Sequence, residues 1–157
     1  MTFEEILEIL NSGNCLPGME LALGDYLIGD EGSQALAQAL LSSNCPSGLK
    51  IYVQENNIGD NGAQAFAKAL ASGKCPSGLD LCFMSNYISD KGAQAIGEAL
   101  SSGRCPLGLG LYLDYNNIGD EGAQAFGKAL SSGKCPTGLN LGLGGNKSGD
   151  EGTQALA

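Results

Sequence analysis

The sequence predicts an α/β solenoid of 30-residue units, with a parallel sheet along one side and helices along the other. Three observations predict it. Cys15, Cys45, Cys75, Cys105 and Cys135 recur every 30 residues without slippage, and a fixed period of that size marks stacked supersecondary units. Each unit opens with apolar residues at every second position, as in Leu49, Ile51 and Val53, the period of a short strand with one buried face. Each closes with a helical stripe, as in Ala63, Phe66, Ala67 and Leu70 at i, i+3, i+4 and i+7.

Taken in order, Thr2 to Asn11 reads as a helix. Thr2 with Glu5 forms a capping box, and Phe3, Ile6, Leu7 and Leu10 fall on one face. Glu4, Glu5 and Glu8 give this segment a wetter outer side than later helices, which suits an N-terminal cap over residues 1–18. Repeats follow at 19–48, 49–78, 79–108 and 109–138, with an incomplete one at 139–157, all in a single domain spanning 1–157. Their strands read Leu49, Ile51, Val53, then Leu79, Leu81, Phe83, then Leu109, Leu111, Leu113.

After each strand comes Asn56, Asn86, Asn116 or Asn146, replaced by Tyr26 in the first unit, and then Ile58, Ile88 or Ile118. An amide there donates and accepts to backbone groups that leave the ladder, across adjacent turns. Asp30, Asp60, Asp90, Asp120 and Asp150 each precede a helix and are expected to cap it. In the GAQAFAKAL unit Ser72-Gly73 ends the helix, and Cys75-Pro76 turns the chain into the next strand. Strands pack about 4.8 Å apart and helices about 8 to 10 Å apart, so the stack bends and the sheet lines its concave side.

LKIYVQENNIGDNGAQAFAKAL and its copies resemble leucine-rich repeats of the ribonuclease-inhibitor type, and the resemblance covers nearly the whole chain. The 30-residue unit with its Cys-Pro-x-Gly-Leu turn is most similar to repeats of effector proteins from intracellular bacteria, and less closely to the sensor ends of Nod-like receptors. The leading Leu of the family pattern is Gly here, at Gly48, Gly78 and Gly108, with Leu one place later. The resemblance implies a horseshoe with convex helices and no enzymatic activity. It also implies an effector delivered to a host cytosol and acting on a host protein; the alternative is a structural or sensor segment packing within a longer receptor.

Composition narrows the function classes. A net charge of −9 with 8 Lys+Arg disfavours nucleic acid and suits a basic protein surface. The chain has no His, which removes His-based catalysis and His metal ligands. No apolar run reaches the length of a membrane span, and the glycine-rich stretches lack the offsets of a nucleotide-binding loop. No metal site or cofactor is expected. The repeat cysteines are read as free thiols packed as small hydrophobes in a reducing, cytoplasmic setting.

Between units, core and turn positions barely change, whereas the outward strand positions do. One column reads Ala22, Tyr52, Cys82, Tyr112, Gly142 and the next Gly24, Gln54, Met84, Asp114, Gly144. Asp25, Glu55, Ser85, Tyr115 and Gly145 follow them, while Glu20, Lys50, Asp80, Gly110 and Asn140 precede. Strand alternation points these side chains into the hollow. The expected partner-binding residues are therefore Lys50, Tyr52, Gln54, Glu55, Asp80, Cys82, Met84, Tyr112, Asp114 and Tyr115, aromatics ringed by charge. The sequence stops at Ala157 inside a predicted helix, so further chain or another copy of the protein is expected to cover that last edge.

Overall fold

The computed structural model describes residues 1–149. The expectations for Asp150 and the final helix lie outside the described residues. The elements run α1 (Phe3–Ser12), β1 (Glu20–Ala22), α2 (Gly29–Leu40), β2 (Lys50–Tyr52), α3 (Asp60–Leu70), β3 (Asp80–Cys82), α4 (Asp90–Leu100), β4 (Gly110–Tyr112), α5 (Asp120–Ser131) and β5 (Asn140–Gly142). The strands form one parallel sheet in the order β1-β2-β3-β4-β5, and each pairs with the next at an offset of one whole unit, as in Glu20 with Lys50 and Lys50 with Asp80. Each strand is three residues long. The ladder nonetheless continues past it, with Lys50 N–H donating to Met19 O at 2.8 Å and Val53 N–H to Cys82 O at 2.9 Å.

The core lies between sheet and helices. Leu49, Ile51, Val53, Phe66 and Leu70 are fully buried, as are Leu79, Leu81, Phe83, Ile96 and Leu100 one unit later. Phe66 of α3 meets Phe83, just past β3, edge to face at 4.9 Å, locking a helix to the strand of the following unit. At the N-terminus the capping box forms: Glu5 N–H donates to Thr2 Oγ1 at 3.2 Å, and Thr2 N–H to Glu5 Oε2 at 2.8 Å. Ile6 and Leu10 of α1 are buried in the core, and Phe3 and Leu7 pack against it.

Three polar columns recur through the stack, and the first two tie each unit to its neighbour. The first is Asn. Asn86 is buried; its Nδ2 donates to Phe83 O in its own unit and to Val53 O in the preceding one, both at 3.0 Å. Its Oδ1 accepts Asn56 N–H at 3.0 Å and Ile58 N–H at 2.9 Å. Each Asn therefore satisfies the turn of the unit before it, which is why the first strand-bearing unit manages with Tyr26: no strand precedes β1.

The second column corrects an expectation. The aspartates do not cap the helices they open; they reach forward to the next one. Asp30 Oδ1 accepts Gly59 N–H at 2.7 Å and Gly62 N–H at 3.0 Å, at the N-terminus of α3. Asp60 does the same for Ser89 and Gly92, and Asp90 for Gly119 and Gly122. Helices stand side by side, so a carboxylate at the first turn of one lies beside the orphan N–H groups of its neighbour. The approach needs glycine: a Cβ on Gly92 would stand 2.7 Å from Asp60 Oδ1 and 3.0 Å from Ala63 Cβ.

The third column is Cys. Ser72 Oγ donates to Ala69 O at 2.6 Å, and Cys75 Sγ to the same carbonyl at 3.3 Å, closing the end of α3. The same pair recurs after α2, α4 and α5. All six cysteines are free thiols. Burial pushes Cys75 up to about 12 and Cys45 and Cys105 up to about 11, so these sulfurs stay protonated donors at neutral pH. The glycine that stands in for the leading family leucine also has a structural reason. Gly48, at φ +71, begins the ladder by donating to Ser77 O, and Gly78 would bring a Cβ to 3.3 Å from Gly48 Cα. A side chain there would be strained by the left-handed backbone and crowded at Gly78, and the apolar residue comes one place later.

Candidate protein-binding face

The sheet face opposite the helices gathers most of the predicted residues. Tyr52, Cys82 and Tyr112 end β2, β3 and β4 in direct register, forming one row across the middle of the sheet. Lys50 and Asp80 begin their strands, also in register with each other. Gln54, Met84 and Asp114 follow two residues after Tyr52, Cys82 and Tyr112 and are half-buried.

Four of these residues differ from expectation. Cys82 is only 9% exposed between the two tyrosines, and burial raises its pKa, so little of its surface is open. Glu55 and Tyr115 are exposed as expected, but they are not strand residues. Both sit in left-handed turns, at φ 56° and 57°, beside Asp25 and Ser85 in the same conformation. Their side chains belong to the margin where the strands exit. Asp114 is engaged within the fold, since its Oδ2 accepts Gly144 N–H at 3.1 Å.

The electrostatics of the face are uneven. Lys50 Nζ lies 3.4 Å from Glu20 Oε1, and that bond raises the lysine pKa. Asp80 and Asp114 have no ion-pair partner among the described residues. Tyr112 has its phenol pKa raised, chiefly by burial and then by the Asp80 carboxylate. Gln54 lies along Gly24, with its Oε1 buried and without a hydrogen-bond partner.

Sequence reasoning missed the exposed residues of the strand-exit turns. Tyr87 is 61% exposed and Leu27 74%, and Tyr26 is also exposed. The signal was there: the column Leu27, Asn57, Tyr87, Asn117, Lys147 varies between units as freely as the strand columns do. A groove of about 720 Å³ lies on the other side of the molecule between α4 and α5, lined by Gln94, Glu98, Gln124 and Lys128. Smaller versions lie between α3 and α4 and between α2 and α3. Gln34, Gln64, Gln94 and Gln124 repeat identically, so these grooves follow from regular helix packing.

Two stretches of the chain match a known repeat family. Residues 49–67 and 111–127 match the Leucine Rich repeat family model. No curated protein matches the sequence. Among solved structures, leiomodin-1 actin-binding site 2 superimposes with a TM-score of 0.71 at 22% identity, covering 99% of this chain and 88% of that one. The tropomodulin C-terminal domain of Caenorhabditis elegans gives 0.70 at 13% identity, covering 99% and 89%. At such identities the likeness is one of fold. No helix among the described residues is long and apolar enough to cross a membrane. With one strand and one helix per 30 residues, a five-stranded parallel sheet and these structural likenesses, the chain has the fold of a leucine-rich-repeat solenoid.

Proposed function

We propose that this chain is a non-enzymatic protein-interaction module that binds its partner on the sheet face. The observation that carries this reading is the row Tyr52, Cys82, Tyr112: two half-exposed aromatics on opposite sides of a buried thiol, in a column that changes from unit to unit while the core columns stay nearly fixed. Aromatic anchors set among charged neighbours are where binding energy concentrates in protein interfaces. Tyr115, Tyr87 and Glu55 extend the surface along the strand-exit margin.

The finer reading adds a setting. The similarity of the 30-residue unit to repeats of intracellular bacterial effectors supports a host protein as target, met in a reducing cytosol. Six free thiols are compatible with that setting. The leiomodin-1 neighbour is titled an actin-binding site, so actin is included among the candidates.

The test is affinity capture from eukaryotic lysate, with cosedimentation on actin filaments as a separate arm. The intact domain is compared with a Tyr52→Ala/Tyr112→Ala/Tyr115→Ala variant whose fold is verified by circular dichroism. A partner retained by the first and lost by the second is the expected result. Equal capture would move the site to the helices, and the sheet-face reading would fall.

A further inference from the structure

Within the sheet face, the surroundings of Tyr112 are the most specific chemistry available. Strand register sets Asp80 beside Gly110 and Tyr112 beside Gly142. The two glycines leave room that neighbours fill. The Asp80 carboxylate and Tyr112 Cε2, the latter at 3.1 Å, both approach the point where a Gly110 Cβ would stand. On the other side, Asp114 and Tyr112 Cδ1, the latter at 3.4 Å, both approach the equivalent point over Gly142. Cδ1 and Cε2 face each other across the ring, so Asp80 and Asp114 come near the tyrosine on different sides.

An aromatic ring is positive at its edge and negative over its face. Carboxylates at the edge are therefore held comfortably, and they deepen the attraction of the ring face for a cation. The molecule supplies a single cation nearby: in the strand and exit positions 20–25, 50–55, 80–85, 110–115 and 140–145, Lys50 is the one basic residue, against Glu20, Asp25, Glu55, Asp80 and Asp114, and its charge also reaches Asp80 and Tyr112. Lys50 is already engaged by Glu20.

Building on the sheet-face reading, we propose that the Tyr112 ring, flanked by Asp80 and Asp114, is the seat for an arginine side chain of the partner protein. A planar guanidinium stacks on an aromatic face and gives its in-plane N–H groups to carboxylates at the sides. An ammonium does only the first of these well. Asp114 keeps one oxygen on Gly144 N–H, which fixes the carboxylate in place while its other oxygen lies toward Gly142.

The experiment uses two defined probes, tetra-arginine and tetra-lysine peptides, titrated calorimetrically into the intact chain at low ionic strength. Tyrosine emission gives a second readout, since the chain has no Trp. Tetra-arginine is expected to bind about tenfold tighter than tetra-lysine. An Asp80→Asn/Asp114→Asn variant, which preserves the acceptor for Gly144 N–H, should erase that preference, as should Tyr112→Leu. A Glu4→Gln/Glu8→Gln variant, which removes the same two charges from exposed positions of α1, should retain it. Equal affinity for the two peptides, or equal loss in the two charge-matched variants, would overturn the proposal by reducing it to diffuse attraction. If that happens while the triple tyrosine variant still loses its captured partner, the sheet-face reading stands and only the arginine is lost.

Discussion

Tyr26 in the first strand-bearing unit and Asn86 in the third hold the same place in the repeat and have opposite surroundings. Asn86 is buried and bonds backbone groups in two units. Tyr26 is 41% exposed and its hydroxyl reaches Met1 O at 3.4 Å. The difference teaches that the repeat's polar residues work for their neighbours. Asn serves the unit before it and Asp the helix after it, so each interface between units carries two sets of bonds. A position is constrained when a neighbour needs it and free when none does. The same distinction separates the fixed interior columns from the changeable sheet face.

The largest effect should come from breaking a stitch at its centre. Asn86→Ala leaves Asn56 N–H and Ile58 N–H without an acceptor inside the fold and is expected to cost about 2 to 6 kcal/mol, at roughly 1 to 3 per stranded group. Urea denaturation followed by circular dichroism measures it; a loss below about 1 kcal/mol would mean that water replaces the amide. Next is Gly92→Ala, where the new methyl meets Asp60 Oδ1, Ile88 Cγ2 and Ala63 Cβ together. Overpacking of this kind costs about 1 to 3 kcal/mol, and pairing it with Asp60→Ala in a double-mutant cycle should show strong coupling.

Tyr115→Gly should go the other way. Its left-handed backbone disfavours any side chain, so glycine there is expected to add about 1 kcal/mol of stability while weakening partner capture. A gain in stability with full capture would remove Tyr115 from the binding surface. The cysteine column predicts a pH effect with a definite sign. In the folded chain Cys75 loses its proton near 12, against an ordinary value of 9.0, and Cys45 and Cys105 near 11. The folded form binds these protons more tightly, so stability is complete below pH 9 and declines as pH rises towards 11 to 12. Cys75→Ala should flatten that decline in melting curves. Smallest of all, Tyr26→Asn should change stability by less than about 0.5 kcal/mol, because no preceding strand needs the amide.

Much of this fold was legible in the sequence because the information was local to a unit. Leu49, Ile51 and Val53 announce a strand and Ala63, Phe66, Ala67 and Leu70 a helix within a few residues, and all of them are buried as their spacing implies. The direction in which Asp60 bonds was not legible. An aspartate before a helix looks the same whether it caps that helix or the next, and only the packing distance between helices decides. The site was legible as columns and not as contacts. Alternation placed Tyr52 and Tyr112 on the open face, yet Cys82 is covered by what stands beside it across the sheet. Tyr115 was placed on the correct surface for the wrong reason, since its exposure comes from a left-handed turn that no periodicity encodes.

The central claim is that interior columns carry the fold and the sheet face carries recognition. It is tested most directly by measuring thermal unfolding and partner capture together for Tyr52→Ala/Tyr112→Ala/Tyr115→Ala. Capture should vanish while the melting temperature moves by no more than a few degrees, as expected for half-exposed and exposed positions. Retained capture, or a collapse of the melting temperature, would contradict that division of labour.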